Sequence, residues 1–499
     1  LFNNYKQAFR TGMQTRHTVS LGGGTEAAQV MGSVSYFKQN GVIPFSDYTS
    51  YNARLNATFK ISEKVTAGAS LNYINSGGNR VNSDRYGEQI IYWAPRWNMK
   101  DYVKPDGTQQ TYSSGTNNPI YTLSTNKFKD NVNRAIASAY ITYKPTDWLN
   151  FSYRFGNDFY TDGRTHTAPG PLGVVDEAPN LDDNAYGFID EYNLRSRNLT
   201  STLMANFTKT FNEKFSIDFK VGHDLRDQRV RRSSVEGDTL VVPDLFLLGN
   251  AKRVKGDSYI LDYRNYGYFG DLTLGWKNLL FLELTGRNDL TSTLSRDNRS
   301  YFYPSASLSY IFSDMFKLPG WWSYGKLKLS YAQIGKDGDA YAITNGFETG
   351  DPIGTTVPFY QSRTLGNDKL RPEFTNTSEI GTELRFLDNR LGLEVNAYQQ
   401  KSKDLLVPVY VSNATGYDQA YVNAGEINNK GLEVTVTAMP VRRKDFSWDF
   451  KINFSTNRNR VIRLNEQQGA ELKEIVISSQ YGYLSSTVTS KLVPGMAYG

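Results

Sequence analysis

The residues that most often do chemistry stand at unhelpful spacings in this chain. Its three histidines, His17, His166 and His223, are scattered with no zinc-ligand spacing such as His-x-x-x-His. Cysteine is absent, which excludes thiolate metal sites and a disulfide framework. Gly22-Gly23-Gly24 is not followed by Gly-Lys-Ser/Thr, so it reads as a tight turn and not as a phosphate cradle. The acidic pieces Asp182-Asp183-Asn184 and Asp337-Gly338-Asp339 offer the oxygen ligands that Ca²⁺ takes. They lack the twelve-residue loop pattern and read as solvated loop acids. No serine sits in a Gly-x-Ser-x-Gly elbow. Nothing here supports catalysis, a metal or a cofactor. One stretch offers recognition chemistry: Tyr92-Trp93-Ala94-Pro95-Arg96-Trp97-Asn98. Flat rings beside a guanidinium and an amide suit a polar ligand that is both stacked and hydrogen-bonded. Tyr92, Trp93, Arg96 and Trp97 are therefore candidate substrate contacts. The plainer use of the same rings is to pack a long loop upon itself or against a partner.

The elements that would position these residues are strands. From Phe446 to Phe454, Phe446, Trp448, Phe450, Ile452 and Phe454 alternate with Ser447, Asp449, Lys451 and Asn453. Successive strand side chains point to opposite faces, so one face is apolar and the other suits water. Leu391-Leu393-Val395-Ala397 repeats the pattern against Glu394 and Asn396, and Phe215-Ile217-Phe219-Val221 against Asp218 and Lys220. Leu149-Phe151-Tyr153-Phe155 and Leu432-Val434-Val436-Ala438 do the same. Roughly 17 such candidates of about 9–12 residues occur, the length that crosses a bilayer when tilted. Asp218, Glu394, Asp449 and Lys451 would then face a lumen.

Connections carry a second signal. Short turns near Ser62-Glu63, Pro145-Thr146-Asp147, Asn212-Glu213, Lys277-Asn278 and Asp388-Asn389 alternate with long segments near 75–131, 161–196, 227–262, 335–374, 403–428 and 458–483. A shorter loop near 38–49 keeps the parity. An antiparallel up-and-down transmembrane β-barrel, with short periplasmic turns and long extracellular loops, has this asymmetry. Composition agrees. Hydrophobic residues are 39% and mean hydropathy is −0.52, yet there are 34 Tyr. Alternate apolar residues and aromatic girdles account for that mixture, and Trp321-Trp322 and Tyr301-Phe302-Tyr303 fit such a girdle. No run approaches the ~20 apolar residues of a spanning helix. The net charge of +6 is dispersed, without the basic stripe of a nucleic-acid binder. An odd strand count predicts that further strands lie outside this chain, because an open edge is not viable in lipid.

Several stretches resemble the SusC/RagA family of TonB-dependent outer-membrane transporters. They include His17-Thr18-Val19-Ser20-Leu21-Gly22-Gly23-Gly24-Thr25-Glu26, Ser35-Tyr36-Phe37-Lys38-Gln39-Asn40-Gly41-Val42-Ile43 and Tyr51-Asn52-Ala53-Arg54-Leu55-Asn56. Leu370-Arg371-Pro372-Glu373, Glu379-Ile380-Gly381-Thr382-Glu383 and Asn423-Ala424-Gly425-Glu426-Ile427-Asn428-Asn429-Lys430-Gly431-Leu432-Glu433 add to them. So do Asn457-Arg458-Asn459-Arg460-Val461 and, with Pro and Gly rearranged, Val493-Pro494-Gly495-Met496-Ala497-Tyr498-Gly499. The resemblance implies a barrel of about 22 strands in the whole protein, of which residues 1–499 are an incomplete barrel domain. It places an N-terminal plug and the last strands outside the chain. It implies a SusD-like surface lipoprotein as a hinged lid, and TonB-ExbB-ExbD engaged through the missing N-terminal region. The cargo would be an oligosaccharide or peptide, and transporter–lid pairs could dimerise. The expected function is active nutrient uptake across the outer membrane of a Gram-negative bacterium. The alternatives are a scaffold or receptor in a larger outer-membrane assembly and a passive porin.

Overall fold

The computed structural model describes residues 1–112, 117–170, 187–350, 356–464, 466–467, 470–471, 473–481 and 488–497. The period-two stretches become sixteen long strands: β1 (Met13–Gly24), β2 (Ala28–Asn40), β3 (Asp47–Ser62), β4 (Val65–Arg80), β5 (Lys127–Thr146), β6 (Leu149–Ala168), β7 (Phe188–Phe211), β8 (Phe215–Leu240), β9 (Ala251–Trp276), β10 (Leu280–Thr291), β11 (Ser300–Ile311), β12 (Trp322–Lys336), β13 (Glu373–Phe386), β14 (Leu391–Lys403), β15 (Glu426–Arg442) and β16 (Ser447–Arg463). Each lies beside its predecessor in one sheet, without a crossover. The count is close to the roughly 17 expected; the remaining described strands form small separate sheets of two or three strands, such as Phe347–Thr349 with Phe359–Gln361. No helix of the described residues is long and apolar enough to cross a membrane.

The strands are longer than their alternation predicted, reaching 26 residues in β8 and β9. Most of 227–262, expected to be loop, is ladder, with only 241–250 between the strands. Beyond the apolar zone both faces turn polar and the period-two signal fades, but backbone pairing continues. Cross-strand ion pairs take over there: Arg231–Asp262 at 2.9 Å, Arg232–Asp257 at 3.1 Å and Arg253–Asp238 at 2.7 Å. Gly22-Gly23-Gly24 is a second correction. These glycines continue β1, opposite Met31, Val30 and Gln29, and the turn follows at 25–27. A glycine still supplies its N–H and C=O to the ladder, so it need not end a strand.

Turn parity holds with one exception. Asn212-Glu213, Lys277-Asn278 and Asp388-Asn389 have φ between 50° and 64°, and each four-residue turn closes through an N–H to C=O bond of 2.8–3.1 Å. Two successive residues with φ > 0 make the type I′ turn, whose twist matches that of the flanking strands. The exception is at β11. Its connection to β12, at 312–321, is longer than the one to β10, at 292–299.

The chain divides into two compact units. The first comprises Leu1–Tyr143, Tyr153–Ser201 and Asp227–Asp262. Its long connection between β4 and β5 carries α2 (Ser83–Tyr92) and α3 (Pro119–Thr125), and α1 (Asn4–Ala8) precedes β1. Asn82 caps α2, and Asn118 caps α3 with Pro119 in its first turn. Ala8, Tyr86, Ile90, Trp93, Met99, Ile120 and Leu123 form a small buried core beneath the helices. The second unit comprises Lys144–Ser152, Thr202–Arg226 and Tyr263–Gly499. In its register Leu280, Leu282 and Leu284 oppose Tyr310, Leu308 and Ala306 on one side and Trp276, Leu274 and Leu272 on the other. The intervening Phe281, Glu283 and Thr285 oppose Ser309, Ser307 and Ser305.

Candidate functional site

The aromatic stretch lies in the helical loop of the first unit. Trp93 is 4% exposed and belongs to the loop core. Its indole N–H donates to the Trp97 carbonyl at 3.2 Å. Trp97 stacks on Tyr112 with centroids 4.0 Å apart, and Arg96 lies over Trp97 at 5.0 Å. Asn4 ties the segment down, donating to the Trp97 carbonyl at 3.0 Å. Trp93 and Trp97 therefore pack the loop, whereas Tyr92, at 66% exposure, and Arg96 point outward. Tyr86 anchors the same core: its hydroxyl donates to the Ala8 carbonyl at 2.6 Å, and burial pushes its pKa up to about 12.

The charged residues singled out on the strands share the polar face of the second unit. Lys220 bridges Asp218 at 3.1 Å and Asp271 at 3.5 Å, and the Thr208 hydroxyl donates to Asp218 at 3.0 Å. Glu394 pairs with Lys328 at 3.0 Å. Its register neighbour Glu383 pairs with Arg385 at 2.6 Å, so two carboxylates that face each other each have a cation. Asp449 and Lys451 lie exposed on β16, with Lys451 opposite Thr437. The other face of the same strands exposes Leu284, Leu329, Ile380, Ile452 and Phe454 at 39–57%. A water-facing surface rarely carries a continuous apolar field of that extent.

One polar cluster escaped the sequence reading. Arg287 pairs with Asp224 at 2.8 Å and Asp289 at 2.7 Å, and the Tyr303 hydroxyl donates to Asp289 at 2.6 Å. Tyr301 stacks on Tyr303 at 6.0 Å and is 6% exposed. These two tyrosines thus turn to the polar face, and only Phe302 joins the apolar girdle. Asp337 accepts from the hydroxyls of Thr291 and Thr293. It is a hydroxyl-bonded anchor and not a solvated acid. The other acidic piece, Asp182-Asp183-Asn184, lies outside the described residues. Alternation alone could have sorted Tyr301 from Phe302; the assembly of the cluster from β8, β10 and β11 left no local signal. The histidines are dispersed. His17 stacks on Tyr36, His166 lies 3.6 Å from Asp190, and His223 tilts against Tyr268.

Up-and-down strands that are apolar on one face and ion-paired on the other, joined by tight turns at one end and built-out loops at the other, define the wall of a transmembrane β-barrel. The chain belongs to the family described as TonB dependent receptor-like, beta-barrel, whose model matches residues 70–474. TonB-dependent receptor P26 of Formosa agariphila is 26% identical over 484 residues, covering 93% of this chain and 47% of that protein. TonB-dependent receptor SusC of Bacteroides thetaiotaomicron is 25% identical over 494 residues, covering 92% and 48%. The chain thus spans about half the length of the curated relatives it matches. The structure of the RagAB peptide transporter has the same fold, with a TM-score of 0.84 at 19% identity over 99% of this chain and 55% of that one. The expected SusC/RagA likeness is therefore present, and the protein is a Gram-negative outer-membrane barrel with tight turns on the periplasmic side and long loops outside.

Proposed function

We propose that this chain forms most of the wall of a TonB-energised importer of a large nutrient, an oligosaccharide or a peptide. The observation that carries this reading is the contrast between the two faces of the wall. An apolar face meets lipid, and the opposite face carries compensated ion pairs such as Asp218–Lys220 and Glu394–Lys328. In this reading Asp218, Glu394, Asp449 and Lys451 line the lumen and contact water or a plug encoded outside these residues. The RagAB peptide transporter, which shares the fold, and SusC, which shares the family, favour import with a SusD-like lipoprotein lid. Cargo would be held between lid and loops, with Tyr92 and Arg96 facing it and Trp93 and Trp97 holding the loop behind them. Catalysis has no part in the proposal.

The test is purification of the native protein from outer membranes in mild detergent, with mass spectrometry of everything that co-purifies. Plug peptides from upstream of Leu1 and a stoichiometric SusD-like lipoprotein are the expected result. A barrel without plug peptides would replace active import by a passive porin. Plug, lid and several further stable partners would favour an assembly scaffold. Tyr92→Ala with Arg96→Ala is expected to slow growth on the cargo while leaving the heat stability of the barrel unchanged.

A further inference from the structure

The second unit has a local break in its ladder at the loop end of β11 and β12. On one side β11 stays paired with β10 up to Leu290↔Ser300. On the other, β12 stays paired with β13 up to Lys336↔Glu373. Between β11 and β12 the register ends at Ser305↔Ala332. Pro304 sits at that boundary, and proline is kept out of interior strands because it brings no N–H to a ladder. A side chain enters the break. The Tyr301 ring meets Phe374 edge to face at 6.4 Å and lies 2.6 Å from where a Cβ on residue 335 would stand. Gly335 is what admits the ring.

Beside the break is a cavity of about 290 Å³. Its apolar wall is Phe302, Phe374 and Pro372; its polar wall includes Asn298, Arg371 and Asp404. By register Phe302 belongs with Ala306, Leu308 and Tyr310, and Phe374 lies opposite Gly335 on the row that holds Leu329 and Tyr331. At the extracellular end of the wall, Phe302 and Phe374 thus present the membrane-facing rows to the cavity, and Tyr301 reaches it from the polar row through the break. Arg371 and Asp404 stand 3.3 Å apart, and the Arg371 side chain is 61% exposed, leaving donors to spare. A guanidinium, an amide and a carboxylate around exposed rings can serve hydroxyls, which both donate and accept. The rings offer a flat apolar surface to the carbon face of a sugar. Cations (Arg296, Arg299, Lys369, Arg371) and carboxylates (Asp297, Asp368, Glu373, Asp404) balance in the flanking segments, so the site selects for hydroxyls rather than for charge alone.

The geometry points to a binding site for the sugar headgroup of an outer-leaflet glycolipid, with its acyl chains lying along the apolar row below Phe302. The inference needs only the membrane-facing assignment of that row and is independent of what the barrel transports.

To test it, the protein purified from outer membranes is placed in phosphatidylethanolamine nanodiscs with or without purified lipopolysaccharide. Retained lipopolysaccharide is then counted by native mass spectrometry after a detergent wash. The wild type is expected to hold it, and Phe302→Ala with Asn298→Ala to retain it about tenfold less well, corresponding to ~1.4 kcal/mol. Phe155→Ala, on the apolar row of β6, is expected to retain it fully. Heat-modifiable electrophoresis confirms that each variant is folded. The milder Asn298→Ala alone replaces the double variant if that one fails to fold. Three results would each overturn the site: no retention by the wild type, equal loss in the Phe155 variant, or full competition by the delipidated saccharide, which would make the ligand a soluble sugar.

Discussion

Arg287 shows how much one residue can hold at the polar face. It bridges Asp224 and Asp289 with a single guanidinium, and Asp289 is 6% exposed. Truncation to Arg287→Met would leave the buried Asp289 carboxylate without its cation, and breaking such a pair costs about 3 kcal/mol. The urea midpoint of the refolded barrel in phospholipid vesicles should fall by that free energy divided by the slope m, with the slope itself unchanged. Tyr86 supports a pH prediction outside the membrane. Its folded pKa of about 12 lies above the unfolded value of about 10, so the folded loop holds that proton more tightly. The stability it contributes is complete below pH ~10 and is lost as pH rises from ~10 to ~12. Tryptophan fluorescence, reporting Trp93 in the same core, should show an alkaline transition of the loop. Tyr86→Phe should move that transition upward.

Among the elements, the tight turns were the most legible. Asn212-Glu213, Lys277-Asn278 and Asp388-Asn389 stand out as turns in the sequence, and all three adopt φ > 0 at both central positions. A non-glycine residue pays roughly 1–2 kcal/mol in that region unless its side chain assists. Glu213→Gly should therefore raise stability by about 1 kcal/mol, and the β-branched Glu213→Val should lower it by a similar amount. Thermal shifts of the band separating folded from unfolded barrel on gels would measure both. The ends of β8 and β9 were illegible for the opposite reason. Apolar alternation marks the part of a strand that meets lipid, whereas Arg231–Asp262 and Arg232–Asp257 hold a ladder through water-facing charges that read as loop.

At the scale of the whole molecule, the two faces of the wall meet different solvents. Leu284 is 41% exposed between Leu272 and Ala306, and its neighbour Thr285 faces Asp271 and Ser305. Leu284→Arg puts a guanidinium into hydrocarbon and should cost about 2–4 kcal/mol near the bilayer midplane. Thr285→Arg, one residue away on the polar face, should cost less than about 1 kcal/mol. Equal penalties, measured by denaturant unfolding in vesicles, would refute the assignment of faces.

The sequence by itself determined the fold class, because a period of two over strands this long admits one apolar face and one polar face, and lipid admits strands only in a closed barrel. It also determined the membership of Asp218, Glu394, Asp449 and Lys451 in a polar row, since register follows from alternation. Tertiary structure decided what depends on which strands become neighbours. Phe446 to Phe454 reads as one unbroken alternating strand; the Arg287–Asp224–Asp289–Tyr303 cluster draws on residues up to 79 positions apart, and the break that admits Tyr301 depends on Gly335 in the next strand. Within Tyr92 to Trp97, residue type could not separate outward-facing side chains from packed ones. Only the buried core beneath α2 and α3 did, by enclosing Trp93 and leaving Tyr92 and Arg96 outside.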